Sequence, residues 1–194
     1  FEYNGIFFID DLVIEFHYSI PLHQYNNLIS FYVLPADNTV SSVMLDIVPN
    51  ISAVLGEGVS ALYFDAGNWT GALMNIDISS GYWLRMQLAG ADSLEGRSYP
   101  LNPDRVYDLH AGPNLVSFPS NGSVGISAGL ADIEDNVRAV IGEGLSAINT
   151  GDGWIGALLD FEALHGYWII TDSDISFSYD LSDQGSLSRK SNPY

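Results

Sequence analysis

Two stretches of the chain spell one pattern. The first runs Gly56-Glu57-Gly58, Trp69-Thr70-Gly71-Ala72-Leu73 and Gly81-Tyr82-Trp83; the second runs Gly142-Glu143-Gly144, Trp154-Ile155-Gly156-Ala157-Leu158 and Gly166-Tyr167-Trp168. Ahead of them, Asn27-Leu28-Ile29-Ser30-Phe31 returns as Asn114-Leu115-Val116-Ser117-Phe118, and all four tryptophans fall at matched positions. Self-similarity at a fixed period marks a duplicated structural unit, here of about 85 residues. A unit of that size buries only a marginal core on its own, so two copies gain by packing together. The chain divides accordingly into an N-terminal β segment (1–22), a first copy (23–98), a linker (99–106) marked by Pro100 and Pro103, a second copy (107–182) and a polar tail (183–194).

Within each copy the periodicity names the elements. Asn27 to Leu34 reads as a buried strand stopped by Pro35. Val40, Val43, Met44 and Ile47 then fall at i, i+3, i+4 and i+7, one face of a short helix capped from Asp37-Asn38-Thr39. Ile126, Leu130, Ile133 and Val137 repeat that face. Short strands follow, separated by glycine turns at 56–58, 142–144, 81 and 166. The predicted class is α+β with strand dominating, as two tandem copies of a β-α-β(n) unit. The aromatic and β-branched runs of residues 1–20 have no counterpart ahead of the second copy. They read as extra strands or the end of an upstream domain, with an apolar edge that its own chain or a neighbouring subunit must cover.

The charge balance excludes several function classes. Six basic residues face 24 acidic ones, a net charge of −18. Nucleic acid and anionic membrane surfaces are poor partners for such a chain, since both are held by Lys and Arg clusters. There is no cysteine, which excludes disulfides and thiolate chemistry. No apolar run approaches the length of a membrane span, so no membrane insertion is expected. A chain starting at Phe1 reads as a processed or excised piece of a longer protein.

The candidate site residues each carry a chemical and a structural reading. Trp69 and Trp154 follow loops rich in glycine, Asn and Asp, where a ring face could stack on a sugar. Trp83 and Trp168 lie inside strands and read as core anchors of the repeat. Glu57 and Glu143 recur between glycines (Gly56 and Gly58, Gly142 and Gly144). They have no recurring acidic partner for paired carboxylate catalysis and read as turn carboxylates accepting backbone N–H groups. Asp65, Asp152, Asp172 and Asp174 lie on oxygen-rich loops, which can ligate Ca2+, although none fits the twelve-residue helix–loop–helix pattern. No other cofactor is expected. His23 and His110 precede the Asn-Leu strands at matched places and read as surface or strand-edge residues.

Taken as a set in fixed order, the Asn-Leu-Ile/Val-Ser-Phe, Gly-Glu-Gly, Trp-x-Gly-Ala-Leu and Gly-Tyr-Trp elements over residues 23–180 resemble a tandem repeat module of large secreted multi-domain proteins of marine bacteria. The module has no established activity. The resemblance implies an extracellular or cell-surface location, and neighbouring domains or identical subunits as partners. The expected function is a non-catalytic structural or adhesive module of a larger bacterial protein, with assembly into a fibre or another homomeric form as one route to that role. A carbohydrate-binding module with a polysaccharide partner and a dispersed-site hydrolase are the alternatives.

Overall fold

A computed structural model of the protein describes residues 16–64, 67–87, 92–98 and 104–183. It is 50% strand and 9% helix, so the fold is strand-dominated. The first half holds β1 (Phe16–Leu22), β2 (Tyr25–Ser30), α1 (Val40–Val43), β3 (Ile51–Leu55), β4 (Ser60–Phe64), β5 (Asn68–Gly71), β6 (Gly81–Met86) and β7 (Asp92–Ser98). The second half holds β8 (Tyr107–Leu109), β9 (Gly112–Ser117), β10 (Ser123–Gly125), α2 (Ile126–Gly129), β11 (Val137–Ile141), β12 (Ser146–Asn149), β13 (Trp154–Gly156), β14 (Asp160–Glu162), β15 (Gly166–Thr171) and β16 (Ile175–Phe177). Strands β1–β7 belong to unit one and β8–β16 to unit two.

Each unit is built on a five-stranded sheet whose pairings are all antiparallel. The strand orders are β2-β6-β3-β4-β5 in unit one and β9-β15-β11-β12-β13 in unit two. The two central hairpins turn through the Gly-Glu-Gly segments, where Gly56 N–H donates to Val59 O and Gly142 N–H to Leu145 O, both at 2.9 Å. Gly58 and Gly144 take φ of 67° and 72° there, which L side chains resist. The helical segments are shorter than the periodicity suggests. Val-Ser-Ser-Val is a weak helix former, so α1 makes one turn and passes into a 3-10 turn at Leu45–Ile47. Val40, Val43, Met44 and Ile47 are nevertheless all buried. Among the described residues no helix is long and apolar enough to cross a membrane.

Strand alternation corrects the reading of two tryptophans. Tyr82, Leu84 and Met86 of β6 point into the core of unit one, as Tyr167 and Ile169 of β15 do in unit two. A period of two then sends Trp83 and Trp168 to the opposite face. There they are half-buried, Trp83 between Leu28 and Leu55 and Trp168 between Leu115 and Ile141 on the neighbouring strands. The tyrosines take the inside because each hydroxyl finds a backbone partner, accepting from Asp77 N–H at 2.6 Å and from Glu162 N–H at 2.8 Å.

The described end of the N-terminal β segment is an extra strand packed on its own chain. Residues 16–22 form β1, which pairs antiparallel with β7, and Tyr18, Ile20 and Leu22 are buried in the core of unit one. It has a counterpart in unit two, where β8 pairs with β16. Residues 1–15, part of the linker (99–103) and the tail from 184 lie outside the described residues.

Candidate functional site

Several of the residues that recur in the sequence meet where the two units meet. β2 and β9 are edge strands of their sheets, and an edge leaves backbone groups without ladder partners. On β2, Leu28 N–H donates to Glu143 Oε2 at 2.6 Å; on β9, Leu115 N–H donates to Glu57 Oε2 at 2.8 Å. Each glutamate therefore caps the edge of the other unit. Two residues along, Ser30 N–H donates to Leu164 O at 2.9 Å and Ser117 N–H to Ser79 O at 3.0 Å. The serine hydroxyls follow, Ser30 Oγ to His165 O at 2.7 Å and Ser117 Oγ to Ile78 O at 2.6 Å.

The second oxygen of each glutamate meets a histidine. His23 Nε2 lies 2.5 Å from Glu143 Oε1, and His110 Nε2 lies 2.6 Å from Glu57 Oε1. The other ring nitrogen, Nδ1, lies 2.8 Å from Gln24 O in one case and 2.9 Å from Ala111 O in the other. A carbonyl and a carboxylate both only accept, so the arrangement is fully satisfied when the ring is protonated and donates from both nitrogens. Both histidines are accordingly held above the ordinary histidine value, first by the backbone carbonyl and then by the glutamate. Asn27 and Asn114 fix the loops that carry them. Each accepts from the histidine's N–H at 2.8 Å and donates to its carbonyl at 2.8 Å.

Close approach explains the remaining repeated glycines at this seam. A Cβ on Gly81 would stand 2.9 Å from Val116 O, and one on Gly166 would stand 2.6 Å from Ile29 O. Leu164 of unit two, at φ 68°, packs against the core of unit one. The sequence marks the glutamates as backbone acceptors but does not show that the backbone belongs to the other unit. The one available signal is the paired recurrence of His23 and His110 with Glu143 and Glu57.

The other candidates are dispersed. Trp69 is half-buried, packs against the core of unit one with its ring 5.1 Å from that of Tyr63, and lines a cleft of about 210 Å3 with Thr39, Ser41, Thr70 and Asn75. Trp154 is half-buried against the core of unit two, its Nε1–H donated to Glu134. Asp172 pairs with Arg138 at 2.7 Å and Asp174 accepts from Ala111 N–H at 2.8 Å, while Asp152 is exposed and Asp65 lies outside the described residues. Among the described residues no three His, Asp or Glu side chains gather in a metal-binding group. A cleft of about 350 Å3 at the seam brings Glu57, Asp77, Asp108 and His110 together. Its carboxylates are already engaged, Asp77 by Ser79 N–H and Asp108 by Ser176 Oγ–H.

No family model, curated protein or solved structure matches the chain.

Proposed function

We propose that the chain is a non-catalytic extracellular structural or adhesive module of a larger secreted or cell-surface bacterial protein, built as two copies of one strand-dominated β-α-β(n) unit joined along edge strands β2 and β9. One observation carries this reading: the polar residues that the sequence repeats are spent on the reciprocal seam. Glu57 and Glu143, His23 and His110, and Ser30 and Ser117 all bond across or beside it. Repeated chemistry committed to joining two units suits a stiff spacer better than a solvent-facing reaction centre. Location and modularity rest on the resemblance of the repeat to modules of secreted proteins. Stretching single molecules between residues 16 and 183 tests the spacer role. The locked pair should yield in one joint event at neutral pH; two independent events at the same force as the Glu57→Ala, Glu143→Ala variant would refute it.

A carbohydrate-binding role is the second reading, favoured by the Trp69 cleft, where a half-buried ring and the apolar Leu73 and Met74 stand beside four polar side chains. Quenching or shift of tryptophan emission by soluble polysaccharide, lost in Trp69→Ala, would establish it.

A further inference from the structure

The seam is built from the same parts on both sides. Unit one offers Glu57, the turn carbonyls of Ile78 and Ser79, and Gly81; unit two offers Glu143, the carbonyls of Leu164 and His165, and Gly166. Each set is received by the other unit's histidine and edge strand. A surface whose contacts are reciprocal in this way is self-complementary and fits any molecule that presents the same face. In sequence the two units are joined by the connection between β7 and β8.

We propose that the seam exchanges between molecules: unit one of one chain seats on unit two of a second chain, and the reverse, giving a closed pair that remakes every clasp. The partner is a second copy of this chain, and the inference rests on the clasp geometry, independently of the spacer reading. Because the contacts are the same in both arrangements, what decides between them is the local concentration of the tethered unit, on the order of millimolar for a short linker. Below that the single chain wins. The net charge of −18 pushes the same way and salt screens it. Exchange also requires the seam to open first, so it belongs to folding at high concentration and to crowded arrays of the chain.

The absence of cysteine allows a direct test. One chain carries Glu57→Cys and another His110→Cys; each loses one clasp and keeps the His23–Glu143 clasp. The two are unfolded together, refolded at about 1 mM in high salt and, after dilution, treated with a short bismaleimide. A covalent heterodimer is expected in a large fraction of chains, falling at least about tenfold when refolding is done at about 10 µM. The unmodified chain, refolded the same way, should show a species of twice the mass by light scattering. Absence of the heterodimer after concentrated refolding would overturn the proposal. So would a double-mass species from the unmodified chain when the paired variants give no cross-link between positions 57 and 110.

Discussion

At the scale of residues, the histidines make the seam sensitive to pH. Each is raised above 6.5 in the folded chain by a carbonyl and a carboxylate. A raised folded value means that the stabilisation is fully present below about pH 6.5, the unfolded value, and is lost as pH rises through the folded value. The wild type should therefore lose denaturation midpoint from pH 6 to pH 8 more steeply than a His23→Asn, His110→Asn variant. Parallel curves would show that the rings carry no charge in the clasps. Both rings are more than half exposed, so the effect should weaken in high salt. A second residue makes the opposite kind of prediction. The Tyr179 hydroxyl is buried among aromatic rings with no hydrogen-bond partner among the described residues, and burial holds its proton far above the usual tyrosine value. Tyr179→Phe should leave stability unchanged or raise it by about 1 kcal/mol. A clear loss in urea titration would mean that the hydroxyl is bonded.

At the scale of elements, the repeated glycines separate into two kinds. Gly71 and Gly156 sit at φ 143° and 153° with the carbonyl of Ser60 or Ser146 only 2.1 Å from where a Cβ would stand. Gly144 has φ 72° and open space. Gly156→Ala should cost on the order of 3 kcal/mol or more, and Gly144→Ala about 1 kcal/mol. Equal costs in chemical denaturation would contradict the close contact. Strand phase gives a further contrast. Tyr82→Ala should cost about 3–5 kcal/mol as a core deletion and Trp83→Ala distinctly less. The reverse order would place the tryptophan inside. That phase is not legible in Gly-Tyr-Trp, because adjacent aromatics serve either alternation equally well. It is decided by Asp77 N–H and Glu162 N–H, which meet the tyrosine hydroxyls and come from a loop and from the end of β14, both outside the motif. Strands, glycine turns and the buried positions 40, 43, 44 and 47 are legible because short-range periodicity determines them.

At the scale of the whole molecule, what the sequence displays is the set of interlocking parts and what it hides is who engages whom. Glu143 reaches back 120 positions to His23, and Glu57 reaches forward 58 to Leu115. Contacts at that separation leave no periodic trace, so each glutamate can be read as an acceptor while its donor stays unknown. The same arrangement closes edges β2 and β9, leaving the short β5 and β13 at the outer margins of the two sheets. Amide hydrogen exchange at Leu28 and Leu115 tests this crossing of contacts most directly. In the wild type both amides should exchange slowly although they lie on edge strands. Glu143→Ala in unit two should release Leu28 in unit one and leave Leu115 protected; Glu57→Ala should release Leu115 and leave Leu28 protected. Slow exchange of both amides in both variants, or release confined to the unit that carries the substitution, would contradict a reciprocal seam.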